Sequence, residues 1–190
     1  MAKSNHMATP TLSAPEKALK RVLTISKLNG WSVIAVAALG ILLALVLGDW
    51  SSVVIGLLVV GSGVMEIRGH NKLKRRDAGG GMRLLVRSQM FLLAVILVYC
   101  ASRLGSYDSD SMLGNVTPEM KTMLKDSGIE MADLIPLVRL AFYLLYGVLA
   151  LTCLIYQGGL ALFYRGKTAL VTQALATPPV VSHDSPLAYP

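Results

Sequence analysis

Residues 31–50 read WSVIAVAALGILLALVLGDW, and they carry no charged side chain before Asp49. The hydrocarbon core of a bilayer is about 30 Å thick and needs about 20 apolar residues of helix to cross it. Trp31 and Trp50 are separated by about 28 Å at the helical rise of about 1.5 Å per residue. Tryptophan favours the membrane interface, because its ring is apolar while its N–H needs a hydrogen-bond partner. The stretch therefore predicts a transmembrane helix with Trp31 and Trp50 as anchors at its two ends.

Three more apolar blocks follow, so the composition is that of a membrane protein and not of a soluble domain. The chain has 190 residues, of which 54% are hydrophobic and 15% charged, and its mean hydropathy is +0.57. The blocks predict four spans, at residues 31–48, 51–67, 84–104 and 134–163. The last would measure about 45 Å as a straight helix, so it must tilt, kink or project past the membrane.

The connections indicate how the four spans pack. Gly48-Asp49-Trp50 is long enough only for a tight turn, so the second span must return antiparallel beside the first. The predicted fold is an all-α integral membrane protein with a four-span antiparallel helix bundle at residues 30–164. Residues 105–133 form its outer loop, which holds six acidic residues and two lysines.

The segments outside the bundle are predicted separately. Ser13 and Glu16 have the spacing of a capping box, which starts a helix. Residues 14–29 are basic on one side and apolar on the other, which predicts a helix that lies in the lipid headgroup layer; a short solvated helix is the alternative. We expect this helix to end at Asn29-Gly30. Residues 1–13 are predicted to be a disordered leader, and residues 165–190, rich in proline after Thr177, a cytoplasmic tail.

The charge distribution predicts the orientation in the membrane. Five basic residues precede Trp31, seven lie between Arg68 and Arg87, and two follow Phe163, against two in the outer loop. Because cytoplasmic loops keep an excess of Lys and Arg, both termini are expected in the cytoplasm, in a bacterial inner membrane. The net charge of +7 then records topology and not nucleic-acid binding. Anionic lipid headgroups are the expected partners of the basic segments.

Ionisable and amide side chains within the predicted spans are candidates for function, because burying them in lipid is costly. Glu66 and Arg87 lie at similar depth near the inner face, so they could pair, with Gln89 nearby; alternatively, both extend to the inner headgroups. Arg139 lies near the outer face and predicts either a clamp on outer acidic residues or an anion-attracting vestibule. Gln157 is expected to form an interhelical hydrogen bond.

Small residues predict where the first two spans touch. Residues of this kind let helix backbones approach closely in lipid; the alternative is that they are simply common in membrane helices. The first span offers Gly40, Ala44 and Gly48, and the second offers Gly56, Gly61 and Gly63. Tyr164, at the end of the fourth span, is predicted to be a further interface anchor.

Motifs for catalysis are missing from the sequence. The three histidines, His6, His70 and His183, fall in predicted tails or loops, so no metal or general-base site is expected within the spans. Gly79-Gly80-Gly81 is expected to be a flexible joint, because it lacks the context of a phosphate-binding loop. No enzyme activity and no cofactor are predicted. The first hypothesis is a structural or accessory subunit of a homo-oligomer or larger membrane complex; the second is a small oligomeric channel or transporter for ions or small solutes.

Overall fold

The computed structural model describes residues 13–107, 117, 119, 122–123, 126–128 and 131–177. Four long helices account for most of this part of the chain, and no strand occurs in it. They are α1 (Ala14–Val46), α2 (Trp50–Lys74), α3 (Ala78–Gly105) and α4 (Met131–Ala176). Each contains a segment long and apolar enough to cross a membrane. The predicted all-helical class with four membrane-length helices is therefore confirmed.

Some predictions concern residues outside the described ones. They are the disordered leader over residues 1–12, most of the outer loop, and the last part of the tail, residues 178–190.

The first helix begins at the predicted capping box but does not end where the sequence indicated. Ser13 N–H donates to Glu16 Oε2 at 2.8 Å, and Glu16 N–H donates to Ser13 Oγ at 3.5 Å. The expected end at Asn29-Gly30 is wrong, because α1 continues to Val46 with both residues buried. A Cβ on Gly30 would lie 3.0 Å from the Ile67 side chain on α2. Gly30 therefore serves a close approach between helices, and residues 14–29 are the first half of α1.

The first half of α1 packs within the bundle, where α1 contacts α2 and α4. Val22 is fully buried between helices, although the apolar side of this segment was expected to rest on lipid. It belongs to a hydrophobic cluster, here called the inner core, that draws on all four helices: Val22, Leu73, Met82, Leu85, Tyr164 and Val171. Because α4 extends to Ala176, the first part of the predicted tail is helical and contributes Val171.

The turn between α2 and α3 is much shorter than the predicted connection over residues 68–83. It consists of Arg75, Arg76 and Asp77, and Asp77 accepts a hydrogen bond from Gly80 N–H at 2.8 Å as the N-cap of α3. Gly79-Gly80-Gly81 is therefore the first turn of a helix and not a flexible joint. A Cβ on Gly81 would lie 3.1 Å from the Gly69 carbonyl oxygen. The two glycines mark a close crossing of α2 and α3.

The turn between α1 and α2 is held by Asp49, at the opposite end of the helices from the inner core. Its carboxylate accepts hydrogen bonds from the hydroxyls of Ser51 and Ser52 and from Ser52 N–H, and it pairs with Arg103 on α3 at 3.0 Å. The pKa of Asp49 lies well below its usual range, because its charged form is stabilised by the hydroxyls of Ser51 and Ser52, the Ser52 N–H and the Arg103 guanidinium. Gly48 has φ +70° and no neighbour within 4 Å of a Cβ position. It shapes this turn, and its predicted role in helix packing is wrong.

Candidate functional site

Glycines position the site by letting α1 and α2 approach closely at one level. A Cβ on Gly63 would lie 2.6 Å from the Ile34 side chain and 3.0 Å from the Gly30 carbonyl oxygen. Further along the same pair of helices, Gly56 faces Ile41 and Ala44 is buried.

The other small residues of the predicted packing face lie elsewhere. Gly40 and Gly61 are exposed, and nothing lies within 4 Å of a Cβ built on either of them. Among the predicted packing residues, Ala44, Gly56 and Gly63 therefore lie between helices, whereas Gly40 and Gly61 face outward.

A buried carboxylate lies one turn from the crossing of Gly30 and Gly63. Glu66 on α2 is only 1% exposed. Its Oε2 accepts a hydrogen bond from Asn29 Nδ2 on α1 at 2.6 Å, and its Oε1 accepts one from the Tyr164 hydroxyl on α4 at 2.8 Å. The Tyr156 hydroxyl, also on α4, donates to Asn29 Oδ1 at 3.2 Å. These contacts form a chain of hydrogen bonds across three helices.

The third neighbour of the carboxylate comes from α3. Gln89 is fully buried and lies close to Glu66. Neither Gln89 Nε2 nor Gln89 Oε1 has a hydrogen-bond partner in the described part of the chain. We refer to Asn29, Glu66, Gln89, Tyr156 and Tyr164 as the polar cluster. All four helices contribute to it.

Two of the sequence predictions for this region are wrong. Of the two alternatives for Glu66, pairing with Arg87 is wrong, because Arg87 is exposed while Ser88 and Gln89 face the interior of the bundle. Extension of Glu66 to the headgroups is wrong as well, because its side chain is buried. Tyr164 is not an interface anchor, because its ring is fully buried in the inner core and its hydroxyl is bound to Glu66. Trp31 and Trp50, by contrast, are 59% and 72% exposed.

Asn29 and Tyr156 were missed as site residues. Asn29 was assigned to a helix stop, and Tyr156 was one aromatic among several in a long apolar block. Both Asn29 and Glu66 are isolated polar residues next to apolar segments. Because such residues usually pair with one another inside a helix bundle, this pattern could have predicted their contact.

Further polar contacts extend the cluster along α2. One turn beyond Glu66, His70 is buried and its Nδ1 lies 3.1 Å from Ser26 Oγ on α1. His70 therefore lies within a helix and not in the predicted loop. One turn before Glu66, Ser62 Oγ donates to the Ser88 carbonyl oxygen on α3 at 3.0 Å. Polar contacts between helices thus recur over three successive turns of α2.

The remaining two candidates, Arg139 and Gln157, lie on α4. Arg139 is exposed, and its guanidinium lies 5.9 Å from the centroid of the Tyr143 ring on the same helix. Asp49, one of the acidic residues expected at the outer face, does not clamp Arg139, because it pairs with Arg103. Gln157 is buried, and its Oε1 finds no partner among the described residues.

Aromatic side chains fill the α3–α4 interface at the end away from the inner core. Phe142 packs against Tyr107 and Tyr146 with ring centroids 5.0 and 4.7 Å apart. Tyr99 meets Tyr146 edge to face at 6.0 Å, and Arg103 lies over the Tyr99 ring. We call Tyr99, Tyr107, Phe142 and Tyr146 the aromatic cluster.

The described residues include no group of three or more His, Cys, Asp or Glu side chains that could hold a metal ion. This chain matches no protein-family model, no curated protein and no solved structure.

Proposed function

We propose that this chain is a non-enzymatic membrane protein that acts as a structural or accessory subunit of a homo-oligomer or a larger membrane complex. The observation that carries the proposal is the arrangement of its interior polar groups. Glu66 and Asn29 form hydrogen bonds with each other and with the tyrosine hydroxyls of α4. Toward the other end of α3 and α4, aromatic rings pack against one another. Such an interior is suited to locking helices together and not to passing a solute.

The proposed architecture is an antiparallel four-helix bundle with both termini in the cytoplasm of a bacterium and the inner core on the cytoplasmic side. The excess of Lys and Arg around the α2–α3 turn and before Trp31 supports this orientation. Contacts between Asn29 and Glu66, and between Ile41 and Gly56, support opposite directions for α1 and α2. Residues 14–29 would then lie at the cytoplasmic surface as part of the bundle.

The outward faces support assembly. Large apolar side chains on α1, α2 and α4 are exposed, as lipid or another helix requires. Gly40 and Gly61 point outward with open space beside them, and small outward residues let a helix of another subunit approach closely.

Native mass spectrometry of the full chain released from gentle detergent tests the subunit role. We expect an assembly of defined stoichiometry, either with itself or with other membrane proteins. Gly40→Phe should reduce it, because a large ring would occupy the open space beside α1. Leu42→Phe, at an exposed position two residues further on, is the matched control and should not. A monomer under all conditions would contradict the proposal.

A channel or transporter for ions or small solutes is the second candidate, because Gln89 keeps two unpartnered polar atoms beside a buried carboxylate. Purified protein in liposomes distinguishes the two. Under the first proposal the vesicles show no flux above that of empty liposomes. Reproducible flux that is lost in Gln89→Leu would establish the second.

A further inference from the structure

A groove of about 700 Å³ opens between the first half of α1 and the end of α2, outside the polar cluster. Its apolar wall includes Leu23, Leu28 and Trp31, of which Leu28 is 71% exposed. Lys27 and Lys74 lie along the same groove, with Lys20 nearby. An apolar wall beside several ammonium groups fits a ligand with an anionic part and an apolar part.

The groove is positively charged overall. The one acidic residue in its lining is Glu16, and its carboxylate already accepts hydrogen bonds from Ser13 N–H and Ser13 Oγ. His70 also lines the groove, with its Nδ1 directed toward Ser26. Since Lys20, Lys27 and Lys74 have no acidic partner there among the described residues, charge complementarity favours an anionic ligand.

The order of charged and apolar residues along the groove indicates how the ligand is oriented in it. The contact between Ser26 and His70 places Lys27 at the level of His70, and Lys74 lies one turn further toward the end of α2. Trp31 lies one turn from Lys27 in the other direction, where the apolar part of α1 begins. The charged part of the ligand therefore belongs near Lys27 and Lys74, and the apolar part belongs near Leu28 and Trp31.

We propose that this groove binds one anionic phospholipid of the cytoplasmic leaflet. Its phosphate lies between Lys27 and Lys74, and an acyl chain lies against Leu28 and Trp31. This inference rests on the proposed orientation in the membrane, but not on the role of the chain as a subunit.

The test titrates the purified full chain in detergent with dioleoyl phosphatidylglycerol or dioleoyl phosphatidylcholine and counts bound lipid by native mass spectrometry. We expect one phosphatidylglycerol per chain and much weaker retention of phosphatidylcholine. A basic residue near a membrane surface changes affinity about fivefold, so Lys27→Gln/Lys74→Gln should weaken phosphatidylglycerol binding about 30-fold. The control Lys17→Gln/Arg165→Gln removes the same charge from exposed positions outside the groove and should weaken binding much less than the groove variant does.

A variant that fills the groove without changing its charge completes the test. Thr24 lines the groove and is exposed, so Thr24→Trp should block the lipid while leaving the fold intact. Equal retention of the two lipids, equal losses in the two double variants, or unchanged binding in Thr24→Trp would each overturn the proposal. A photo-crosslinker at position 24 should yield a lipid adduct; an adduct with a second copy or with another segment of this chain would also overturn it. The same spectra report oligomeric state, so failure of the subunit proposal is seen separately.

Discussion

Tyr164→Phe removes one hydroxyl group from the polar cluster and leaves the aromatic ring in the inner core. The lost hydrogen bond is short, at 2.8 Å, and its acceptor is the buried carboxylate of Glu66. Intramolecular hydrogen bonds contribute about 0.5–1.5 kcal/mol, and up to about 3 kcal/mol where one partner is charged, whereas interhelical hydrogen bonds within membranes average about 0.6 kcal/mol. Since Glu66 retains Asn29 as a donor, we expect a loss of about 1.5 kcal/mol, between these two limits.

Reversible unfolding in mixed micelles, followed by tryptophan fluorescence, measures this change. Tyr156→Phe is the matched control, because it removes the same atom from the same helix. The Tyr156 hydroxyl bond is longer, at 3.2 Å, its acceptor is an amide, and its side chain is more than half exposed. Its removal should cost about 0.5 kcal/mol or less. In the Glu66→Leu background, Tyr164→Phe should cost much less than in the wild type, because the hydroxyl has already lost its acceptor. Equal costs for the two tyrosines, or an unchanged cost in that background, would refute the assignment of Glu66 as the partner of Tyr164.

Three further predictions concern other parts of the bundle. Gly63→Ala should destabilise the protein by about 1–3 kcal/mol, because its methyl group would meet the backbone of α1. Gly61→Ala has open space beside it and should be neutral or stabilising by up to about 1 kcal/mol. Equal free energies of unfolding for the two variants would contradict this. The folded-state pKa of Asp49 lies below its unfolded value of about 3.9, so its contribution is complete above that value and is lost as pH falls through the folded pKa. Between pH 5 and 2 the wild type should therefore lose more stability than Asp49→Asn; identical pH profiles would show that Asp49 contributes nothing. A reporter active only in the periplasm should be inactive when fused at Arg75, and activity there would overturn the proposed orientation.

The four helices could be predicted from the sequence, because the thickness of the bilayer sets the length of the apolar block that each helix needs to cross it. The ends of those helices could not. Asn29-Gly30 indicates a stop when glycine is judged by its conformational freedom alone. In the structure, a neighbouring helix occupies the space that a Cβ would need, so Gly30 is required inside a continuous helix. Helix length beyond the apolar block depends on packing with other helices, and a single segment does not contain that information.

The partner of Glu66 was unpredictable for a related reason. Depth in the membrane follows from position in the sequence, and by depth alone Arg87 was a suitable partner. Which residues meet also depends on how each helix is rotated about its axis, and that rotation is fixed by contacts among all four helices. At α3 it turns Gln89 inward and Arg87 outward. To identify Asn29 and Tyr164 as the partners of Glu66, it was necessary to know which faces of the helices meet. Knowing which residues lie at the same depth was not enough.

Tyr164 takes part in two kinds of contact, the inner core and the polar cluster. Within lipid, apolar burial does not drive helices together, so close packing and hydrogen bonds must do so. Where helices project past the lipid, water restores the hydrophobic effect. In the proposed orientation the inner core lies there and stabilises the bundle as it would in a soluble protein. Tyr164 joins the two sets of contacts, because its ring lies in the inner core and its hydroxyl binds Glu66. A shift of α4 along its axis would break both sets of contacts at once. The contacts of Tyr164 therefore fix the register of α4 relative to α1 and α2. Because Phe142 and Tyr146 lie earlier in the same helix, the position of the aromatic cluster depends on that register.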